Sequence, residues 1–216
     1  MLYTLIRALA LLGLKGFCKL RVVGREHVPE RGGAIFAANH VSNVDPFVVG
    51  SAVRRKLHYL AKEELFRNPA AGWFMRQLQA FPISRNQADP SAFKRSLALL
   101  RKGEGLLVFP EGTRGDGRRL QPGKAGVGML ALRSGCPVIP VYHEGTAAVL
   151  PRGGWCPRPA AVRVWIGPPI VLRPPLGEGR EPYEALSQQI MDAIARLQAG
   201  ARQPAVTEAP SKSYSP

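Results

Sequence analysis

The sequence predicts an α/β fold, with a largely parallel or mixed sheet wrapped by helices. Short apolar runs such as 34–38 and 106–109 are bounded by glycine, proline and polar residues and have the length of buried strands. Longer segments with apolar residues at helical spacing lie between such runs, and segment 182–198 is the clearest of them. Strands that alternate with helices usually pair in parallel, so the pattern favours one α/β domain.

The first half of the chain predicts short strands separated by helices. Asp45 suits the N-cap of a helix and Pro46 its first helical position. A later helix is rich in large apolar side chains, among them Trp73 and Phe74, which fit either the protein core or the wall of an apolar pocket. The predicted strands are 20–23, 34–38, 57–61 and 81–85, and the predicted helices are 46–53, 69–78 and 91–101.

The second half continues this alternation and then changes in composition. From Gly200 onward Ala, Gln, Pro, Ser, Thr and Lys dominate, which predicts a disordered tail over 200–216. The folded domain is therefore expected to cover 20–199. The predicted strands here are 106–109, 137–142 and 162–166, and the predicted helices are 123–133 and 182–198.

The first 19 residues predict an amphipathic helix that lies in a membrane interface. Arg7 and Lys15 interrupt the apolar stretch, which is then too short to span a bilayer, since a span needs about 20 apolar residues. On a helical wheel Arg7, Lys15 and Lys19 fall with Thr4 inside a sector of roughly 120°, and most of the apolar residues lie outside it. A narrow basic face on a wide apolar face is typical of interface helices. The alternatives are a helix packed on the core and a signal peptide.

The charge of the chain indicates an anionic partner. Its formal net charge is +15, which attracts nucleic acid, anionic lipid headgroups or phosphorylated ligands without choosing among them. The basic residues are dispersed and are poorly interleaved with aromatic ones, which argues against a nucleic-acid partner. The three cysteines, Cys18, Cys136 and Cys156, are far apart and form no C-x-x-C pair, so neither a metal site nor a disulfide framework is expected.

A histidine and a carboxylate share the short polar stretch that follows the 34–38 run. His40 and Asp45 are expected in a loop between a strand and a helix, a usual place for chemistry in α/β proteins. A neutral imidazole can take a proton from a hydroxyl, and a carboxylate can hold the ring and stabilise the imidazolium that forms. General-base catalysis is one interpretation, and a turn histidine beside a helix-capping aspartate is the other.

A second polar stretch follows the 106–109 run and has the residues of an anion-binding turn. Backbone amides around Gly112, the Thr113 hydroxyl and the Arg114 guanidinium can bind an anionic oxygen together. The alternative is an ordinary turn in which Glu111 pairs with Arg114. Two further cations could join a phosphate site, namely Arg85 at a strand end and Lys124 at a helix start.

Motifs for several other chemistries are missing from the sequence. It contains no G-x-x-x-x-G-K-[ST] loop, no G-x-G-x-x-G after a strand, no G-x-S-x-G elbow and no H-E-x-x-H. Nucleotide hydrolysis, dinucleotide binding, serine hydrolysis and zinc hydrolysis therefore have no support from their usual motifs.

Four blocks of the sequence resemble those of the glycerolipid acyltransferases, the 1-acylglycerol-3-phosphate acyltransferase (PlsC-like) family. Segment 39–45 is similar to the N-H-x-S-x-x-D block and segment 109–114 reads F-P-E-G-T-R, while 81–85 and 138–141 resemble the second and fourth blocks. All four stand in the family's order, and the likeness covers about residues 20 to 170. Two positions depart from the family pattern. Gln79 stands where the second block often begins with glycine, and Ser84 stands where an acidic or amide residue is frequent.

The resemblance implies a reaction and a set of roles. His40 would be the general base and Asp45 its orienting partner, for attack of an acceptor hydroxyl on the thioester of acyl-CoA or acyl-carrier protein, without a cofactor. The acceptor would be 1-acylglycerol-3-phosphate and the product phosphatidic acid, made at the cytoplasmic face of the cell membrane. Apolar residues around 73–78 would shape an acyl tunnel. The residues implied to hold the acceptor phosphate are Arg85, Glu111, Gly112, Thr113, Arg114 and Lys124.

Three other functions stay open on the sequence. They are an acyltransferase of the same family acting on another lysolipid or amino-lipid, a non-catalytic membrane-binding module, and a basic nucleic-acid-binding protein. The intact His40, Asp45, Glu111 and Arg114 argue against a degenerate module.

Overall fold

The computed structural model describes residues 18–53, 55–84, 89–172 and 179–203. The strands in these residues form one sheet and closely follow the predicted apolar runs. They are β1 Arg21–Val23, β2 Ala34–Ala38, β3 Leu57–Lys62, β4 Ala80–Ile83, β5 Gly105–Val108, β6 Val138–Glu144 and β7 Arg163–Ile166. Their order in the sheet is β1-β7-β6-β2-β5-β3-β4. Every neighbouring pair is parallel except β6 and β7, so the predicted largely parallel α/β sheet is confirmed.

The helices of the described residues alternate with strands, as predicted, and the last helix follows the last strand. They are α1 Asp45–Ala52, α2 Pro69–Gln77, α3 Pro90–Arg101, α4 Ala125–Ser134, α5 Thr146–Val149 and α6 Glu181–Arg202, with 3-10 segments at Arg25–His27 and Glu63–Phe66. Helix α6 continues past residue 200, where the tail was expected to begin. Ala201 and Arg202 are good helix formers, and Ala201 also packs against the core, which outweighs the helix-weakening Gly200.

Strand β2 lies at the centre of the core, and all five of its residues are buried. Its alternate side chains face opposite sides of the sheet. Phe36 packs with α1 residues such as Val49 on one side, and Ile35 packs with α6 residues such as Ile190 on the other. A strand covered on both faces explains why its sequence is a continuous apolar run rather than an alternating one.

Helix α2 lies at the β4 edge of the sheet and exposes most of its surface. Trp73 is 56% exposed and Phe74 is 43% exposed, so the prediction that these aromatics belong to the core is wrong. The helix packs on the 3-10 segment Glu63–Phe66 and on β4, and this small contact covers only one side of it. Gly72 and Leu78 are buried there, and Met75 is half-buried.

Among the described residues, no helix combines enough length with enough apolar character to cross a membrane. The interface helix predicted for residues 1–19 falls outside the described part of the chain up to residue 17.

Candidate active site

The candidate site forms where the three central strands end. In the sheet β2 lies between β5 and β6, and its pairing with both is parallel. The carboxyl ends of parallel strands meet at one edge, which is where α/β proteins usually bind ligands. His40 follows β2, the 109–114 stretch follows β5, and His143 lies near the end of β6.

His40 and Asp45 are in direct contact. The His40 Nδ1 atom lies 2.8 Å from Asp45 Oδ2, and the backbone N–H groups of Val41 and Ser42 donate to the same oxygen over 2.7 Å and 2.8 Å. A carboxylate only accepts, so Nδ1 carries the proton and Nε2 holds the free lone pair of the neutral ring. This is the protonation pattern that a general base requires.

The structure corrects the prediction that Asp45 is a helix N-cap. Asp45 is the first residue of α1, Val44 occupies the N-cap position, and Pro46 is the second helical residue rather than the first. The Asp45 carboxylate binds amides of the preceding loop instead of amides of the helix. It therefore stabilises the loop that carries His40, and the alternative of a mere helix cap is wrong.

Asp45 is fully buried and is nevertheless held in its charged form. Burial by itself raises the pKa of the Asp45 carboxyl group, but the neighbouring His143, the His40 ring and the Ser42 amide act against burial, and the pKa lies below its ordinary value. An ionised Asp45 can stabilise positive charge on His40 as the ring takes up a proton.

The ring and the backbone of His40 are both immobilised. Phe109 stacks on the imidazole, with ring centroids 4.0 Å apart and an interplanar angle of 16°. The His40 N–H donates to Glu111 Oε1 over 2.9 Å, and the Gly115 N–H donates to the His40 carbonyl over 2.7 Å. The stretch after β5 therefore holds the histidine loop in place, which nothing in the spacing of these residues signalled.

Glu111 points into the protein rather than toward Arg114. Its side chain is 3% exposed, and its second carboxylate oxygen accepts the Gln121 N–H over 3.1 Å. Burial raises the pKa of the Glu111 carboxyl group, against the opposing effect of its two backbone donors. Pairing of Glu111 with Arg114 was therefore a wrong alternative. The geometry of Glu111 also does not support a contact with the acceptor phosphate. Both of its carboxylate oxygens already accept hydrogen bonds, and a carboxylate repels a phosphate.

Gly112 and Lys124 form a compact basic turn beside this carboxylate. Gly112 has a φ of +68°, and a Cβ atom at this position would lie 2.7 Å from Lys124 Cε. The Lys124 side chain thus runs over the glycine backbone, and the positive φ of Gly112 is a conformation that favours glycine. Lys124 itself is the N-cap residue of α4 and precedes the helix.

The remaining residues of the predicted phosphate site differ in how exposed they are. Arg114 is half-buried and lines the cavity described below, whereas Thr113 is exposed. Arg85 lies outside the described residues. The structure thus brings Gly112, Thr113, Arg114 and Lys124 together in or beside one turn.

A cavity of about 490 Å³ opens beside His40. This volume is in the usual range for small-molecule sites, and most of the lining is apolar. Met75 and Leu78 of segment 73–78 line it, whereas Trp73 and Phe74 are not among its lining residues. The lining residues are His40, Asn43, Pro46, Phe47, Gly50, Ser51, Tyr59, Leu60, Ala61, Lys62, Leu65, Met75, Leu78, Ala80, Phe109 and Arg114.

Comparison with known proteins places this site in a family. The family model described as Acyltransferase matches residues 19–144. The 1-acyl-sn-glycerol-3-phosphate acyltransferase of Bacillus subtilis is 33% identical over 139 residues, which is 64% of this chain and 68% of the relative. The enzyme of the same name from Pseudomonas aeruginosa is 31% identical over 174 residues, or 79% of this chain and 65% of the relative. The chain therefore spans about two thirds of the length of each relative.

A solved structure agrees with these relatives. The crystal structure of the 1-acyl-sn-glycerophosphate acyltransferase PlsC from Thermotoga maritima has a TM-score of 0.68 and 27% identity, and the match covers 89% of this chain and 81% of that one. The chain belongs to the acyltransferase family. This confirms the resemblance that the sequence blocks carried.

Proposed function

We propose that the protein moves a fatty acyl chain from acyl-CoA or acyl-carrier protein to the free hydroxyl of 1-acylglycerol-3-phosphate, which yields phosphatidic acid for phospholipid synthesis. The observation that carries this proposal is that His40, already oriented by Asp45, lines an apolar cavity that Arg114 also lines. A base, an apolar volume and a cation are what a reaction on a phosphorylated lipid needs in one place. The names of the bacterial relatives support the choice of acceptor.

In the proposed reaction His40 is the general base. Its Nε2 atom takes the proton of the acceptor hydroxyl while that oxygen attacks the thioester carbonyl carbon. The new C–O bond forms, the C–S bond breaks, and the thiolate leaves and receives the proton from His40. Asp45 keeps the ring oriented and stabilises the imidazolium between the two proton transfers. A thiolate is a good leaving group, so the scheme needs neither a covalent acyl-enzyme nor a cofactor.

The basic turn would hold the acceptor phosphate. Backbone amides around Gly112, the Thr113 hydroxyl and the Arg114 and Lys124 side chains offer donors and positive charge to the phosphate oxygens. Arg85 is a further candidate by its sequence block. We assign Glu111 a positioning role instead, because its carboxylate holds the His40 backbone.

The apolar cavity would hold the acyl chain. Its walls come from α1, β3, β4, α2 and the 3-10 segment Glu63–Phe66, so the acyl chain would lie between α1 and the exposed edge of the sheet. Met75 and Leu78 are the residues of segment 73–78 that would contact it.

The N-terminal segment would bring the site to its lipid substrates at the cytoplasmic face of the membrane. Its basic residues and the net charge of +15 favour binding to anionic lipid, about 1 kcal/mol for each basic residue near the surface. Deletion of residues 1–17 should weaken sedimentation with anionic vesicles while leaving turnover of a short-chain, monomeric acceptor intact. Cys18 is kept because it is buried in the core and its carbonyl accepts the Val162 N–H. If the deletion protein acylates vesicle lipid as well as the full chain does, this assignment is wrong.

The reaction itself is tested by incubating the purified full chain with mixed lysolipids and each donor, followed by lipid mass spectrometry. Phosphatidic acid should accumulate, and the product masses would identify any other lysolipid or amino-lipid that is accepted. His40→Ala should reduce the rate by about 10²–10⁴-fold without loss of folding. Near-normal turnover by a folded His40→Ala protein would exclude the mechanism.

A further inference from the structure

A second histidine lies behind the His40–Asp45 pair. His143, near the end of β6, is 1% exposed, and its Nε2 atom is 3.7 Å from Asp45 Oδ2, the oxygen that His40 contacts. None of the four sequence blocks includes His143, and the general-base scheme does not use it.

His143 is locked in one orientation by Asn39. The Asn39 side-chain amide donates to the His143 carbonyl over 3.0 Å and accepts the His143 N–H over 2.9 Å. In return, His143 Nε2 lies 2.7 Å from the Asn39 carbonyl oxygen. A carbonyl oxygen only accepts, so Nε2 carries a proton and donates it to the Asn39 carbonyl, while Asp45 Oδ2 lies 3.7 Å from the same nitrogen.

The other ring nitrogen completes the arrangement. His143 Nδ1 is 3.4 Å from the Thr146 hydroxyl, which can donate to it when Nδ1 is unprotonated. Burial lowers the pKa of the His143 imidazole below its ordinary value, although Asp45 and the Asn39 carbonyl oppose this shift. The ring is therefore a neutral imidazole with its proton on Nε2.

We propose that His143 is a positioning residue for the acyl transfer, which holds the Asp45 carboxylate ionised and aligned on His40 through its buried Nε2–H. This inference rests on the proposed function. The partial positive charge of the N–H lies near the carboxylate, at a distance of 3.7 Å from Nε2 to Oδ2, and both side chains are fully buried, so the electrostatic interaction is stronger than it would be in water. The same N–H binds the carbonyl of Asn39, the residue just before His40, so His143 also stabilises the backbone of the loop.

Other charged groups lie near His143 and bear on its pH dependence. His40 and Asp45 face it at the site. A small cavity of about 80 Å³ touches its other side, and the titratable groups that also line this cavity are Glu111, Arg119, Tyr142 and Glu144. Asp45 Oδ2 lies 3.7 Å from the Nε2 atom of the His143 ring.

The test compares two substitutions of His143 in the full chain with a matched control. His143→Leu removes the N–H, whereas His143→Gln keeps a donor where Nε2 lies. His58→Leu is the control, because His58 is also buried and its Nε2 atom is also 3.7 Å from a carboxylate, that of Glu104, away from the site. Each variant is assayed for kcat, acceptor KM, the pH profile of kcat/KM and thermal unfolding.

His143→Leu should lower kcat about tenfold or more, with little change in KM, because the Asn39 carbonyl loses its hydrogen bond and Asp45 loses the neighbouring N–H dipole. The acid limb of its pH profile should move to higher pH, because without the N–H dipole Asp45 attracts the His40 proton more strongly. His143→Gln should restore most of kcat and return the limb, and His58→Leu should change neither. A folded His143→Leu protein with wild-type kcat and acid limb overturns the proposal, as does a His143→Gln protein that is equally impaired with an unmoved limb.

A second measurement needs neither turnover nor a folded leucine variant. The chain has four histidines, and the His143 ring signals can be assigned by their loss from the nitrogen-15 spectrum of His143→Gln. The wild-type His143 should be a neutral, Nε2-protonated ring that resists protonation to well below the pH at which an ordinary histidine titrates. A His143 ring that titrates like an exposed histidine, or that carries its proton on Nδ1, overturns the proposal. Lack of acyl transfer by a wild-type protein with the expected spectrum would instead overturn the proposed function.

Discussion

Glu111 offers the sharpest test of how the site is built, because sequence and structure suggest different roles for it. The F-P-E-G-T-R block suggests a contact with the acceptor phosphate. The structure shows a buried carboxylate that accepts the His40 N–H over 2.9 Å and the Gln121 N–H over 3.1 Å. If Glu111 positions His40, its substitution should lower kcat and leave the acceptor KM nearly unchanged.

The size of the effect follows from these two bonds. A hydrogen bond to a charged group is worth about 1.5–3 kcal/mol, and burying the charge offsets part of that. Glu111→Ala, which removes both bonds, should therefore destabilise the fold by about 2–4 kcal/mol. Glu111→Gln keeps an oxygen for one amide and should cost about 1–2 kcal/mol. A displaced histidine backbone should reduce kcat by about tenfold to a hundredfold in either variant.

The pH dependence of stability provides an independent readout. The pKa of Glu111 is raised in the folded protein, so the folded state keeps its proton to higher pH than the unfolded chain does. The free energy of unfolding of the wild type, relative to Glu111→Gln, should then fall as the pH rises from about 4.3 through the raised pKa. Urea unfolding of both proteins at pH 4 and pH 7 measures this difference. In the kinetic assay, a Glu111 variant with normal kcat but a strongly raised acceptor KM would refute the positioning role of Glu111.

Three further predictions concern the phosphate-binding role of Arg114, the backbone strain at Gln79 and the wall of the apolar cavity. Arg114→Lys replaces a bidentate fork with a point charge and should raise KM several-fold for phosphate-bearing acceptors but little for a neutral lysolipid; equal losses on both would assign Arg114 to the donor or the fold. Gln79 has a φ of +65°, so Gln79→Gly should relieve left-handed strain and raise stability by up to about 1 kcal/mol, measured as a higher Tm. Met75→Trp should fill part of the apolar cavity and shift acyl preference in donor competition toward shorter chains, whereas Phe74→Ala, outside the cavity, should leave the preference unchanged.

The fold followed from the sequence because its signals are local. The runs that predicted β2, β5 and β6 are apolar on both faces, and both faces are covered in the structure. Segment 69–78 was a helix as predicted, but periodicity could not reveal that its aromatics face outward at the edge of the sheet. The exposure of these aromatics depends on how few neighbouring elements pack against α2.

The site was predictable only where its residues are neighbours in sequence. His40 and Asp45 are five residues apart, and one loop brings them together. The Glu111 contact spans 71 residues and the Asn39–His143 contacts span 104, and both depend on which strands adjoin β2. Gln79 did carry a local signal. Glycine is frequent at that position of the resembling block, and the positive φ observed here gives the physical reason.

The site has two parts, one at the centre of the sheet around His40 and one at its edge in the cavity wall, and we expect substitutions in the two parts to have different effects. His40 and the groups proposed to position it lie at or just after the ends of β2, β5 and β6, three adjoining strands whose side chains are almost all buried, so a change in one is transmitted to the others. The cavity wall at Met75 and Leu65 is built from partly exposed elements beside the edge strand β4, where few groups must adjust to a substitution. Acyl-chain preference should therefore change by substitutions near the edge without loss of the His40 geometry. Substitutions around His40 should instead affect every substrate alike, because they act on the proton transfer that all of them share.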